Sequence, residues 1–133
     1  MKKLLITLLP VLLMAASCNN DHDHDSEASY PVLVEILKPS NGAVLEKGAA
    51  ADIQVRFTRE DQGTIHNVYV EVLNAASAVV KTLYSFHVHQ DAAFEWTGAY
   101  TPDASGQFTL RASTTDLGAA PLSQKKEISF TVP

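Results

Sequence analysis

Apolar and polar side chains alternate through most of the chain after residue 30. The pattern is clearest in four stretches, whose apolar members are Ile53, Val55 and Phe57; Val68, Val70 and Val72; Phe108, Leu110 and Ala112; and Ile128, Phe130 and Val132. Side chains two residues apart on a β-strand project from the same face, so this spacing predicts strands with one buried face. No long window has apolar residues at helical spacing. The alternation therefore restricts the folded part to an all-β class.

Turn-forming segments divide this part of the chain at short intervals, at residues 39–42, 74–78, 102–106 and 116–118. Four further strands are predicted between these turns. The first has Val32, Val34 and Ile36 inward, and a short edge strand follows at Ala43 to Leu45. A long strand runs from Val79 to His89, with an inward row of Val80, Thr82, Tyr84, Phe86 and Val88, and the last strand contains Phe94 and Trp96. The total is about seven or eight antiparallel strands, the size of an immunoglobulin-like β-sandwich.

Two stretches resemble parts of known β-sandwich modules. Residues 106–112, followed by the turn at 115–118, resemble the penultimate strand and turn of bacterial Ig-like, cadherin-like and fibronectin-like domains, and residues 36–42 resemble their opening. Phe108 stands where such modules often have tyrosine, and no cysteine pair accompanies Trp96. The resemblance implies a single Ig-like domain over residues 30–133.

The first residues have the order of a secretory signal peptide. Lys2 and Lys3 precede an apolar run from Leu4 to Met14, and the small residues 15–17 follow. The run is too short for a membrane-spanning helix, which needs about 20 apolar residues. The pattern predicts a leader at residues 1–17 that is removed during export.

The single cysteine of the chain, Cys18, comes directly after those small residues. Residues 15–18 resemble the lipobox of bacterial lipoproteins, with Ala15 in the position that is usually Leu. The resemblance implies that Cys18 becomes the lipidated N-terminus and anchors the protein in the bacterial cell envelope, at the outer membrane and with its domain exposed at the surface. Two or more acyl chains hold a protein stably on a bilayer. The alternative is a plain secreted protein cut near Ser17.

Residues 18–29 follow the leader as a polar, acidic tether. Its sequence after Cys18, NNDHDHDSEAS, contains no apolar side chain larger than alanine, so we expect it to be disordered and extended by charge repulsion. The run resembles the export tether of some surface-exposed lipoproteins. His22 and His24 alternate with aspartates and form a possible metal-binding tract, the alternative being a solvated spacer.

A second pair of histidines, His87 and His89, lies at the end of the predicted fourth long strand. On a strand both imidazoles would share one face and could hold one zinc or copper ion. A third ligand would have to come from Asp91, Glu95, His66 or the tether histidines. The alternative is a pair of solvent-facing histidines, with His66 an ordinary surface histidine.

Charge and motifs limit the remaining function classes. The net charge is −5, and the folded part stays acidic without the leader and tether, which argues against a nucleic-acid binder. The sequence has no G-x-S-x-G elbow, no glycine-rich phosphate loop and no pair of carboxylates on one predicted strand face. We therefore expect a non-enzymatic envelope module without a cofactor, with a protein or glycan partner. The alternative is a lipoprotein that binds zinc or copper.

Overall fold

The computed structural model describes residues 32–115 and 123–133. Within them the chain forms β1 (Val32–Lys38), β2 (Ala43–Val44), β3 (Ala51–Arg59), β4 (Thr64–Ile65), β5 (Val68–Asn74), β6 (Val79–Phe86), β7 (Gln90–Asp91), β8 (Ala93–Tyr100), β9 (Gly106–Thr115) and β10 (Ser123–Val132). These ranges contain no helix, and therefore none that could cross a membrane. The predicted all-β class is confirmed. The turn expected at residues 116–118 lies outside the described residues.

The strands form two main sheets that face each other. One has the order β1-β3-β8, and the other has the order β2-β10-β9-β5-β6. Neighbouring long strands pair antiparallel, whereas the two-residue β2 pairs parallel with β10 through Ala43 and Val44. A third, two-stranded sheet joins β4 to β7. The seven long strands account for the predicted sandwich, and the short strands add pairings at its margins.

The core lies between the two main sheets and is built by the alternation seen in the sequence. Ile53, Val55 and Phe57 of β3 are at most 1% exposed, and Val68, Val70 and Val72 of β5 are fully buried. The inward residues of β9 and β10 complete the same cluster. Burial of one such side chain contributes about 1.5–3 kcal/mol, so the facing strands supply most of the stabilisation.

Strand β6 departs from the predicted alternation. Its pairing with β5 skips Leu83 between Tyr84 and Thr82, and skips Val80 between Lys81 and Val79. Each extra residue is a β-bulge, which shifts the following side chains to the other face. Leu83 and Tyr84 are consequently both half-buried, and Val80, at the second bulge, is exposed. No bulge separates Phe86 from Tyr84, so Phe86 is exposed without a change of face. The prediction of one inward row along this strand is therefore wrong.

The long strand predicted to run to His89 is also shorter than expected. β6 ends at Phe86, and residues 87–89 are irregular before β7 begins at Gln90. The chain then crosses to the other sheet as β8, whose side chains Phe94 and Trp96 pack against the core cluster. The crossover leaves His87 and His89 at one end of the sandwich.

Candidate functional site

Three histidines meet at the end of the sandwich where β5 begins and β6 ends. The ring centres of His87 and His89 are 4.5 Å apart, and the ring of His66 is 5.5 Å from His87 and 5.0 Å from His89. His66 lies between β4 and β5, and the other two lie between β6 and β7. We call His66, His87 and His89 the histidine cluster.

Local packing explains why the segment after β6 presents its histidines outward. Val88 is only 7% exposed and belongs to the hydrophobic core, whereas His87 and His89 on either side of it are exposed. Two pairs of residues, Thr64 with Asp91 and Ile65 with Gln90, then join the segment to β4. A buried anchor and a short sheet therefore fix the backbone on both sides of His89.

The two histidine side chains meet through their ring nitrogens. Nε2 of His87 lies 2.9 Å from Nε2 of His89, and the rings are nearly perpendicular, at 81°. The prediction that both imidazoles project from one face of a strand is wrong, because residues 87–89 are not in a strand. The irregular backbone on either side of buried Val88 brings them together.

Asn67 determines which nitrogen of His87 carries the proton. Its Oδ1 lies 2.8 Å from Nδ1 of His87, and its Nδ2 donates to the carbonyl of Thr115 at 3.4 Å. Because an amide oxygen only accepts, Nδ1 of neutral His87 is the donor and its Nε2 has a lone pair. Nε2–H of His89 then donates to Nε2 of His87. No sequence pattern indicates this role for Asn67.

The backbone around His66 and Asn67 is held by the end of β9. The hydroxyl of Thr114, which is 1% exposed, donates to the carbonyl of His66 at 2.6 Å. The amide of Thr115 donates to the carbonyl of Asn67 at 3.2 Å. Asn67 has a φ of 36°, a left-handed conformation that asparagine tolerates better than most residues. These bonds fix the Cα positions of His66 and Asn67 beside the other two histidines.

The acidic residues considered as ligands have other partners. Asp91 accepts a hydrogen bond from the hydroxyl of Thr64 at 2.6 Å. Glu95 accepts hydrogen bonds from Gln54 and Arg56, which hold its pKa below the ordinary value. Within residues 32–115 and 123–133, no three His, Cys, Asp or Glu side chains converge well enough to hold a metal ion as they stand. Asp91 therefore stays a predicted ligand.

The remaining predicted site residues fall outside the described part of the chain. They are Cys18, expected to carry the lipid, and His22 and His24 of the tether. The first described residue, Val32, pairs with Arg59 at the end of β3, which precedes the segment leading to His66. Val32, the described residue nearest to the tether in sequence, thus lies at the same end of the sandwich as the histidine cluster.

A bidentate ion pair stabilises the loop beside this end. The guanidinium of Arg59 donates to both carboxylate oxygens of Asp61, and it also donates to the carbonyl of Thr64 at 3.0 Å. The hydrogen bonds from Arg59 hold the pKa of Asp61 below its ordinary value. Arg59 is the last residue of β3 and ties this loop to β4.

Comparisons with known proteins identify the fold and no family. No family model and no curated protein matches the chain. Among solved structures, the CARDB domain of a Pyrococcus furiosus protein is 15% identical, with 76% of this chain and 93% of that chain covered and a TM-score of 0.51. The same domain in complex with di-metal ions is 16% identical, covers 77% and 94%, and has a TM-score of 0.51.

Two further likenesses involve a β-glucosidase and fibronectin(III)-like modules. A β-glucosidase from Listeria innocua is 11% identical, and the match covers 78% of this chain but 16% of that one, with a TM-score of 0.51. Fibronectin(III)-like modules of Clostridium thermocellum CbhA are 18% identical, with 75% and 94% covered and a TM-score of 0.45. At these identities only the fold is shared. The described residues form a single immunoglobulin-like β-sandwich that is similar in fold to CARDB domains.

Proposed function

We propose that this protein is a non-catalytic accessory module of the bacterial cell envelope, anchored by lipid on Cys18, which binds a protein partner through strand β6. The sandwich fold is compatible with such a role, because modules of this architecture present edges and end loops on a rigid scaffold. The anchor rests on the order of residues 1–18, and the binding role rests on the surface of β6.

The observation that carries the binding role is the composition of an unpaired edge. β6 is the last strand of the five-stranded sheet, so one row of its backbone N–H and C=O groups has no neighbouring strand in that sheet. Among the described residues, six large apolar side chains are exposed, and three of them, Val79, Val80 and Phe86, lie on β6. Open backbone groups beside apolar side chains suit the addition of a strand from another protein.

The chemistry of this edge favours a peptide over a glycan. Strand addition uses a continuous row of amide donors and carbonyl acceptors, which a glycan lacks. The exposed side chains of Val80 and Phe86 would fill apolar pockets of the partner, with Phe86 the larger contact at 64% exposure.

The anchor is tested by fractionation of cells that express the full chain or its Cys18→Ala variant. We expect the unmodified chain in the membrane pellet, with a mass that shows an acylated N-terminal cysteine, and the variant in the soluble fraction. An unmodified thiol on the mature protein would overturn the anchor. That result would not affect the binding role of β6, which has its own test.

The binding role is tested by a photo-reactive amino acid placed at position 86 or, as a matched control, at exposed Val44 on β2. We expect one defined protein adduct in native envelopes from position 86 and none from position 44. Val80→Lys should remove the adduct, because it places a charge beside the edge. Equal labelling from both positions, or labelling that Val80→Lys leaves unchanged, would contradict the role of β6.

A further inference from the structure

We propose that His66, His87 and His89 form a site for a divalent transition-metal ion such as Zn²⁺, with Asn67 as the residue that positions His87. This site is independent of the role proposed for β6. It rests on the distances within the histidine cluster, on the proton positions set by Asn67, and on the hydrogen bonds that fix the backbone around the cluster.

The Nε2 atoms of His87 and His89 lie at nearly the separation that one bound ion requires. Zinc binds imidazole nitrogen at about 2.0–2.1 Å, so two nitrogens on one tetrahedral ion are about 3.3 Å apart. The observed distance between Nε2 of His87 and Nε2 of His89 is 2.9 Å. Binding of one ion would therefore require the two nitrogens to separate by about 0.4 Å and the rings to turn until both lone pairs point at the ion.

The spacing of the three imidazole rings also matches that of three ligands on one ion. With the same bond lengths, the ring centres of imidazoles on one tetrahedral ion lie about 5 Å apart. The three centres of the histidine cluster are separated by 4.5, 5.0 and 5.5 Å. As the rings stand, their nitrogens do not converge on one point. The ring of His66, which stacks on His87 at 24°, would turn about its side-chain bonds to direct a nitrogen at the ion.

The hydrogen bond between His87 and Asn67 is of the kind that supports a metal-binding histidine. Histidines that bind metal usually donate their other N–H to an oxygen acceptor, which fixes the tautomer and the ring orientation. Nδ1–H of His87 already donates to Oδ1 of Asn67 at 2.8 Å. Its Nε2 thus has a lone pair available once the hydrogen bond from His89 is given up. The amide of Asn67 is oriented in turn by the carbonyl of Thr115.

Binding of the ion requires one proton of neutral His89 to move from one ring nitrogen to the other. The ring releases no proton overall. The proton on Nε2 of His89 transfers through solvent to its Nδ1, which leaves the Nε2 lone pair for the metal. His89 is exposed, so water can reach both nitrogens. The ring of His87 keeps its proton on Nδ1. The two histidines are therefore expected to respond differently to the same ion.

The ligand set determines the class of ion. Neutral imidazoles suit Zn²⁺, Cu²⁺ and Ni²⁺, whereas Ca²⁺ and Mg²⁺ take oxygen ligands. Three protein ligands leave a fourth position for water or for a ligand from elsewhere. The tether histidines His22 and His24 belong to a different stretch of the chain, and the test must separate their contribution.

The test uses the protein as it is recovered from cells, purified in detergent, with His22→Ala and His24→Ala as the background, and titrates it with Zn²⁺ by calorimetry. We expect saturable binding of one Zn²⁺ per chain and no heat from Mg²⁺. His87→Ala with His89→Ala should abolish binding, and His66→Ala should weaken it at least 10-fold. Absence of binding in the background chain, or binding that survives loss of His87 and His89, would overturn the site. A His66→Ala variant that binds as tightly as the background chain would remove His66 from it.

Two further measurements exclude an effect of misfolding. NMR of the ring nitrogens should show His89 changing from the Nε2–H to the Nδ1–H tautomer when Zn²⁺ is added, while His87 remains Nδ1–H. Asn67→Gly tolerates the left-handed backbone but removes the acceptor, and it should lower affinity by about 10- to 100-fold. Asn67→Asp retains an acceptor and should bind within a few-fold of the background chain. Equal affinities for the Gly and Asp variants, or an unchanged His89 tautomer, would contradict the assignment.

Discussion

Tyr84 of β6 lies against Trp96 of β8, with ring centres 5.6 Å apart, although the two strands belong to different sheets. Tyr84 also stacks on Phe94 of β8, at 5.9 Å. β6 and β8 are each the edge of their sheet, so these contacts close one side of the sandwich. Aromatic pairs contribute about 0.5–1.5 kcal/mol beyond the area that they bury.

We expect Tyr84→Ala to lower the free energy of unfolding by about 2–3 kcal/mol, because it removes a half-buried ring and two aromatic contacts. Tyr84→Phe should cost less than about 1 kcal/mol, since the ring contacts remain. Chemical denaturation of the three proteins measures both values. Val44→Ala, at a residue that is 68% exposed, is the matched control and should change stability by no more than about 0.5 kcal/mol. Equal losses for the Phe and Ala variants would show that the hydroxyl, not the ring, matters.

Trp96 also covers Gly98, two residues along the same strand. A Cβ atom added at Gly98 would collide with the indole ring of Trp96. We expect Gly98→Ala to cost about 1–2 kcal/mol of stability, as overpacking does. In a Trp96→Ala background the same change should cost nothing, because the colliding ring is absent. A double-mutant cycle by thermal or chemical unfolding measures this coupling, and additive effects would contradict the contact.

Glu95 makes stability depend on pH in the acidic range. Its pKa is lowered by hydrogen bonds from Gln54 and then from Arg56, and such a depressed pKa in the folded state stabilises the protein when the carboxylate is ionised. This contribution is present above the unfolded-state pKa of about 4.3 and is lost as pH falls through the lower folded-state value. Unfolding measured at neutral pH and near pH 3 should therefore show a smaller difference for Glu95→Gln than for the unmodified chain.

The effect of Gln54 and Arg56 on the pKa of Glu95 can be measured directly. NMR titration should show the pKa of Glu95 rising towards its ordinary value in Gln54→Ala and again in Arg56→Ala. The carboxyl of Asp61, whose pKa is lowered by Arg59 elsewhere in the fold, serves as the internal control and should not move in either variant. An unchanged pKa at Glu95 would contradict the hydrogen bonds on that face of the sheet.

Phe57 should be among the residues most sensitive to truncation. Its side chain is fully buried in the core between the sheets, and its ring centre is 6.2 Å from that of Phe94. The chain has one cysteine, so no intramolecular disulfide supports the fold. We expect Phe57→Ala to lower the free energy of unfolding by about 3–5 kcal/mol, a large part of the stability of a typical domain. Leu33→Ala on β1, where the side chain is 57% exposed, should cost less than about 1 kcal/mol in the same assay.

The regular part of the fold was predictable from the sequence because its strands keep a strict period of two. In β3 and β5 the predicted inward rows, such as Val55 and Val70, are fully buried. The same rule failed on β6, because two bulges change the face of its side chains and no residue type there signals a bulge. Bulges are set by the pairing with β5, which is a tertiary property.

The histidine cluster was only partly predictable for a similar reason. The spacing of His87 and His89 indicated that they could meet, but the role of Asn67 depends on a contact between residues 20 positions apart in the chain. His66 joins the cluster only because the end of β9 holds its carbonyl beside the segment after β6. Local sequence patterns do not contain contacts of this kind.

The antiparallel pairing of β1 with β3 has a mechanical consequence. The chain enters β1 at Val32, and pairing with β3 continues from Val32 opposite Arg59 to Lys38 opposite Gln54. A pull on Val32 along the axis of β1 would load the hydrogen bonds of this ladder in shear. Bonds loaded in shear share the force and must rupture nearly together, whereas a peeled strand loses them singly. Tension in that direction is therefore opposed by the whole ladder between β1 and β3.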